Sequence, residues 1–481
     1  MKPNSPNSGL HNRLLRGHFL LYILITASAI AFLLSTRNNH ERTVPVRDLV
    51  EIRKSGKLRV LLSYDPINYF IYKGTPMGYS YELAERFAKE LGVQLEVVLV
   101  KDMNRQLPML RNNEGDLVAH FLTITGQRSR IVEFSDPLAH TNQVLVQRKP
   151  TDASGPNHLL RAPEELSGKT IYVRENSAYY IRLKEIMAER NITINIVTVP
   201  GSLTTSELIR QVREGKIDYT VADDNIAAVH AVLYPELDFD TSISSTQPLA
   251  WAVRKNSPEL LVALNRWLEH EKKAGNLQII HDKYYHRQYQ FRKYAVSVFY
   301  SGHAGHISQY DKMIKIAAQT LNWDWRLISS LIYEESQFMP AEVSWAGAIG
   351  LMQIMPQTAA AFRVYNLESP EANIKAGTAY LASLEKEWQD IKDPSTRLKF
   401  ILASYNVGPG HVRDAQKLAS KFGADPNSWE GNVERFLELK SDPKYYNDSA
   451  ATLGYCNGRM PVMYTRNILN RYNLYAQVIP K

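Results

Sequence analysis

The residues best able to do chemistry lie between Asp324 and Ala361, where Glu334 and Glu335 stand side by side. Ile328, Leu331, Ile332 and Glu335 fall at i, i+3, i+4 and i+7, and Phe338 and Met339 continue the stripe. That spacing predicts a helix over Trp325 to Met339, opened by Asp324 as N-cap, with Glu335 in the middle of its apolar face. Glu334 is turned about 100° away, towards the flank. Burial disfavours the ionised form of a carboxyl and raises its pKa, as a general acid working near neutral pH requires. On spacing alone, a core-edge carboxylate paired with a basic side chain accounts for the same pattern.

Beyond this helix, Ser344 to Gly350 is a run of small residues around Trp345, followed by Leu351-Met352-Gln353 and by Pro356 at a predicted helix start. Small residues let backbone approach a bulky substrate closely. Glu335-Ser336, Gly350 to Gln353, and Ser404-Tyr405-Asn406 followed by Val407-Gly408 stand in the order of the motifs of the lysozyme-like lytic transglycosylases, which this segment resembles. The family's Ala before Tyr-Asn is Ser404 here. The resemblance implies a scheme with one carboxylate. Glu335 protonates the glycosidic oxygen between MurNAc and GlcNAc, and the sugar's N-acetyl group stabilises the cation. Glu335 then acts as base while the MurNAc 6-hydroxyl closes a 1,6-anhydro ring. It further implies Ser336 and Gln353 as hydrogen-bonding partners of the acid and of the acetamido group, and Tyr405 and Asn406 as lining of the same subsite. Tyr464 corresponds to a family Tyr facing the acid, although the family's nearby Glu is Met460 here. Glycosidases with two acids place them about 5 Å apart or wider. Glu334 and Glu342 are near in sequence, but helical spacing aims neither across a cleft.

The elements that must position these residues differ along the chain. From Ile307 onward, apolar residues recur at helical spacing over Tyr310–Thr320, Trp325–Met339, Gln357–Tyr365, Ile374–Trp388, Thr396–Asn406 and His411–Lys421, without a β pattern of any length. This predicts an α-rich domain. Between Arg47 and Gln290 strands and helices alternate instead. Lys57–Ser63, Val93–Val100 and Asp116–Phe121 read as strands, separated by helices at Ser80–Leu91 and Leu107–Asn112. A second set of strands follows at Thr170–Val173, Ile194–Val199 and Tyr219–Val221. Such order predicts two α/β lobes, each with a largely parallel sheet, and a ligand cleft between them. Gly56 to Val60, Gly78 to Leu83, Leu122 to Arg128 and Phe134 to Pro137 resemble the polar amino-acid family of periplasmic solute-binding proteins. The resemblance implies Arg128 clamping a ligand carboxylate with Thr123 beside it, Ser177 at the second lobe's closing helix, and Asp223 on the ligand's ammonium. Asp224 competes with Asp223 for that role, and the family's aromatic wall is Tyr64, Tyr69 or Phe70.

The N-terminus carries a further signal. Residues 1–17 are polar and basic, and Phe19 to Leu34 is an almost uncharged apolar run. At about 1.5 Å per residue it reaches about 24 Å, somewhat less than a hydrocarbon core. It reads as a signal peptide or, since the apolar run continues past Ala27-Ser28-Ala29, as an uncleaved anchor. The one cysteine, Cys456, excludes an intrachain disulfide and a Cys zinc site. No His ligand spacing or phosphate-type Gly loop indicates a metal or cofactor. The net charge of +8 over 481 residues suits an anionic envelope polymer or a membrane surface. It is too diffuse to argue for nucleic acid.

The expected organisation is a basic segment at 1–17 and a signal peptide or anchor at 18–35. A two-lobed, non-catalytic, regulatory solute-binding domain follows at 47–290, and a lysozyme-like lytic transglycosylase domain at 291–481. A solute-binding domain ahead of a transglycosylase domain resembles the membrane-bound lytic murein transglycosylase F group. The resemblance implies peptidoglycan glycan strands as substrate and an amino acid or muropeptide as ligand of the first domain. It also implies a place in the cell envelope, membrane-associated on the periplasmic face, either anchored in the inner membrane or peripheral to the outer one. Two other classes stay open at this point: a hydrolase of the muramidase type, and a non-catalytic accessory that only grips peptidoglycan. The presence of Glu335 argues against the second.

Overall fold

The structure is a computed structural model that describes residues 47–65, 67–150, 158–286 and 305–481. The basic segment and the apolar run Phe19 to Leu34 lie outside the described residues. Among the described residues no helix is long and apolar enough to cross a membrane.

Strand Lys57–Ser63 (β1) buries Leu58, Val60, Leu61 and Leu62 completely, because its sheet is covered on both faces. It lies between Gln94–Val100 (β4) and Leu117–Thr123 (β5), parallel to both. Two short strands, Phe70–Tyr72 (β2) and Thr75–Met77 (β3), form a separate hairpin, and Glu133–Phe134 (β6) and Ala139–Thr141 (β7) close the far side of the β1 sheet. The chain then leaves for a second lobe built from Gln143–Arg148 (β8), Thr170–Arg174 (β9), Asn195–Val199 (β10), Tyr219–Asp223 (β11) and Leu237–Ser242 (β12). It returns as Gln247–Val253 (β13), antiparallel to β5. The sheet orders are β4-β1-β5-β13-β6, with β7 also on β13, and β10-β9-β11-β8-β12. The expected parallel sheets are therefore mixed. β1, β4 and β5 are parallel, as are β9, β10 and β11, while β13 and β8 run against their neighbours and β12, antiparallel to β8, runs with β11. The antiparallel strands β8 and β13 are those that carry the chain across between lobes.

Single carboxylates tie the first lobe together. Asp48 caps helix Leu49–Ser55 in a capping box with Glu51, and also accepts from the backbone N–H of Glu259 and Leu260 at the start of helix Pro258–Lys273. Asp116, fully buried, faces the guanidinium groups of Arg47, Arg59 and Arg254.

The C-terminal domain consists of helices Asp311–Leu321, Trp325–Ser336, Pro356–Ala361, Pro370–Glu387, Pro394–Val407, Pro409–Lys421, Glu434–Leu439, Pro443–Tyr446 and Arg459–Val478. Proline opens several of them, where its missing N–H costs nothing. Two expected boundaries are corrected. The helix from Trp325 stops at Ser336, because Gln337 and Phe338 take φ of 51° and 61°, and Met339 is exposed rather than part of the buried stripe. The helix expected to reach Tyr365 stops at Ala361, before Arg363 at φ 60°. The 20-residue helix Arg459–Val478 was not read from the sequence at all. Against the expectation of no β structure, isolated bridges join Val343 to Ile349 and Ile349 to Ile354.

The first lobe and the helical domain share one continuous core. The contact is made by the turn of the β2–β3 hairpin. Lys73 and Gly74 take φ of 48° and 76°, as a two-residue hairpin turn with positive φ at both positions requires. Gly74 O accepts a hydrogen bond from the Tyr475 hydroxyl at 2.5 Å, and Tyr333 Oη donates to Thr75 Oγ1 at 3.2 Å. A Cβ on Gly74 would stand 2.5 Å from Phe338 and 3.0 Å from the Tyr475 hydroxyl. Gly74→Ala is accordingly expected to lower stability by about 1–3 kcal/mol, read as the denaturation midpoint of the full chain. Gly126→Ala, whose Cβ would meet nothing within 4 Å, should leave the midpoint in place.

Candidate active site

Asp324 caps the helix Trp325–Ser336 by accepting from Arg326 N. Ile328, Leu331 and Ile332 are buried to 1% exposure or less. Glu335 follows on the same face at the rim of the core, where it accepts a 2.5 Å hydrogen bond from the Tyr464 hydroxyl. Burial pushes its pKa up to about 7. The Tyr464 bond lowers it and the charge of Glu334 raises it, both by less than burial does. Glu334 points the other way, into Arg471 at 2.9 Å and the Asn467 amide at 2.9 Å. Of the two neighbouring carboxylates, one is therefore neutralised by a cation and the other is held as an acid. Ser330 Oγ donates to Ile468 O at 2.7 Å, so Ser330, Glu334 and Glu335 are each tied to the C-terminal helix Arg459–Val478.

The loop after the helix is fixed by side chains that spend their polar atoms on its backbone. Ser336 Oγ donates to Leu351 O at 2.8 Å, and Tyr405 Oη to Met352 O at 2.8 Å. Gln353, at φ 48°, donates its amide to Glu342 O and Gly350 O at 3.0 and 2.9 Å. These three thus hold the segment Gly350–Gln353 against helix Trp325–Ser336, and their donors are already used. Tyr405 and Tyr464 are both buried, and the charge of Glu335 contributes to the raised pKa of each, after burial. Asn406, at the end of the same helix as Tyr405, is exposed. Sequence reasoning missed Asn373. Its amide accepts from Met352 N at 2.8 Å and donates to Ile349 O and Leu367 O, and its Nδ2 lies 2.3 Å from where a Gly350 Cβ would be. Asn373 stands just before the helix expected at Ile374–Trp388, and falls inside the observed helix Pro370–Glu387. Trp345 is completely exposed and Glu342 is exposed. The carboxylate adjoining Glu335 in the chain, Glu334, is thus committed to Arg471 and Asn467.

A second constellation lies in the cleft between the two α/β lobes, a cavity of about 230 Å³. Thr123 ends β5, and its carbonyl accepts from Arg128 Nη1 at 2.9 Å. Burial, and then the neighbouring Arg174, push the pKa of Arg128 down to about 10. Ser177 caps helix Ala178–Arg190 through Tyr180 N and donates to Arg174 O. Asp223 ends β11 and faces the cleft with Oδ1 unpartnered, its pKa raised to about 7, chiefly by burial. Asp224 is turned away, accepting from Thr141 Oγ1 and Asn142 N. Tyr69 and Phe70 sit in the core, and Phe121 and Tyr285 supply aromatic surface to the cleft instead. Arg174, also in the cleft wall, was not read from the sequence, where it stands as one more residue at the end of a strand.

Residues 57–287 match the family model of bacterial extracellular solute-binding proteins, family 3, and residues 312–427 match that of the transglycosylase SLT domain. The chain is 38% identical over 432 residues to a membrane-bound lytic murein transglycosylase F of Desulfosudis oleivorans, covering 90% of this chain and 92% of that relative. A relative of the same name from Saccharophagus degradans is 31% identical over 456 residues, 94% of this chain and 87% of its own. Among solved structures, an ancestral arginine-binding protein bound to arginine is 28% identical, covers 48% of this chain and 98% of its own, and has a TM-score of 0.41.

The Tyr464 hydrogen bond favours the ionised form of Glu335, so removing it should raise the pKa of the acid further. Activity that needs protonated Glu335 falls as pH rises through about 7. In Tyr464→Phe this alkaline limb is expected to move to higher pH, measured as the pH profile of fragment release from sacculi. A limb that stays in place, or moves down, would separate Tyr464 from the titration of Glu335.

Proposed function

The chain belongs to the membrane-bound lytic murein transglycosylase F family: it is a membrane-associated envelope enzyme acting on peptidoglycan, with a solute-binding domain ahead of its catalytic one. From that premise we propose that Glu335 carries the reaction as its one acid and base. Protonated Glu335 gives its proton to the glycosidic oxygen between MurNAc and GlcNAc, the C1–O bond breaks, and the sugar's own acetamido group stabilises the cation at C1. Carboxylate Glu335 then takes the proton of the MurNAc 6-hydroxyl as that oxygen bonds to C1, which restores the acid and consumes no water. The observation that carries this reading is Glu335 held by Tyr464, with its neighbour Glu334 tied to Arg471. A tethered hydroxyl can have an effective molarity of about 10⁵ M or more, enough to outcompete water when the site holds it in line. Ser336, Gln353, Tyr405 and Asn373 serve by keeping Gly350–Gln353 in place, and Asn406 offers an exposed amide to the sugar. Because the substrate is an envelope polymer, both domains belong on the periplasmic face, with the segment 18–35 as membrane attachment.

Mass spectrometry of fragments released from purified sacculi tests the reaction. The expected ends are 1,6-anhydroMurNAc, lighter by one water than a lysozyme digest and resistant to borohydride, and Glu335→Gln should release none. Reducible MurNAc as the main end would make the enzyme a hydrolase.

The N-terminal domain, in the same reading, takes an amino acid or a stem-peptide fragment. Arg128 and Thr123 receive its carboxylate from the first lobe, the helix capped by Ser177 faces it from the second, and Asp223 takes its ammonium. Loss of one partner of a charge-assisted contact costs about 2–5 kcal/mol. Calorimetry on the full chain should therefore show Arg128→Ala losing most of its affinity for any amino acid that the wild type binds. Equal heats for the two proteins would remove Arg128 from the site.

A further inference from the structure

Once Arg128 and Asp223 are assigned to the two charges of an α-amino acid, one charge in the cleft is left over. Arg174 lies at the end of β9 in the cleft wall, and its Nε is buried with no hydrogen-bond partner. No ion pair within 4 Å accounts for it among the described residues. The acids whose charges reach Arg174 are Asp223 on its own lobe, then Asp65 and Asp102 on the opposite one, and both oxygens of Asp65 are committed. They accept from Ser63 Oγ, from the backbone N–H of Ile67 and Asn68, and from the Asn68 amide. His120 adds no negative charge, and the charges of Arg174 and Arg128 help burial to keep it neutral. Two guanidinium groups thus face a cavity in which Asp223 is the one carboxylate with an unpartnered oxygen. A buried cation without a partner is costly, and a ligand anion placed against it offsets that cost.

The cavity, at about 230 Å³, is smaller than sites for drug-sized ligands, which start at about 300 Å³. It suits one amino acid better than a muropeptide. We propose that the cleft selects an acidic α-amino acid, with the α-carboxylate on Arg128, the ammonium on Asp223 and the side-chain carboxylate on Arg174. This rests on reading the domain as an amino-acid binder, and goes beyond it by naming the ligand class and the residue that selects it.

The test is calorimetry on the full chain with L-glutamate, D-glutamate, L-aspartate and L-glutamine. At least one acidic amino acid should bind about tenfold or more tighter than L-glutamine, as expected for a desolvated charge pair. Arg174→Gln should erase that preference, and Arg174→Lys should retain it. Binding of L-glutamine as tight as that of every acidic ligand, lost in Arg128→Ala, would overturn the acidic selectivity and leave the amino-acid reading standing. A preference that survives Arg174→Gln would overturn the role of Arg174. No heat from any of the four with the wild type would overturn the amino-acid reading, and this inference with it.

Discussion

A carboxylate that must hold its proton near neutral pH and still face a cleft needs apolar surroundings on one side and a fixed hydrogen bond on the other. The pairing of helix Trp325–Ser336 with helix Arg459–Val478 supplies both. Ser330 is bonded to Ile468, Glu334 to Arg471 and Asn467, and Glu335 to Tyr464. The ion pair at Glu334 matters to the acid as much as the hydrogen bond does. An unpaired Glu334 would be free to turn its charge towards Glu335, whereas Arg471 holds it on the other side of the helix. Loss of this helix pairing would leave Glu335 as an ordinary surface carboxylate, ionised at neutral pH and unable to donate.

The loop Gly350–Gln353 depends on the same frame. Ser336 extends the catalytic helix into it, Asn373 and Tyr405 hold it from two further helices, and Gly350, at φ 82°, leaves room for the Asn373 amide. Three different helices thus converge on a few backbone groups of this loop. Orphan backbone donors and acceptors in an irregular buried loop must be satisfied by side chains. Residues whose types suggest direct chemistry here satisfy the loop instead, while the direct contact with the acid is left to Tyr464.

The face of Glu335 was legible because three fully buried aliphatic residues precede it at helical spacing, and the Asp324 cap because an acid stood just before them. Strand β1 was legible to the residue, since an apolar run bounded by Gly56 and Tyr64 leaves little choice. The end of the catalytic helix was not. Phe338 leaves the stripe for the left-handed region and packs towards the hairpin at Gly74 and Tyr333, a tertiary contact that no local pattern contains. Helix Arg459–Val478 escaped because Arg466, Asn467 and Arg471 break its apolar stripe, and those residues are polar because their partners lie on other elements. In the cleft, the choice between Asp223 and Asp224 follows from the end of a strand. Asp223 closes β11 and faces inward, and Asp224 opens the next helix, bonded to Thr141 and Asn142. Arg174 became visible as a ligand group only through its unpartnered nitrogen.

The distribution of core residues also limits how the two sites can be connected. The first lobe and the helical domain are parts of one buried cluster, which the second lobe enters with Val229, whereas two further clusters contain residues of the second lobe alone. Thr123 and Arg128 belong to the lobe that also carries the β2–β3 hairpin, and the hairpin meets Tyr333, two residues before the acid. A ligand changes catalysis only through a difference in its affinity for two states of the whole assembly. The first lobe shares its core with the helical domain, so two states that couple the sites would differ there, where the hairpin turn lies between Tyr333 and Tyr475.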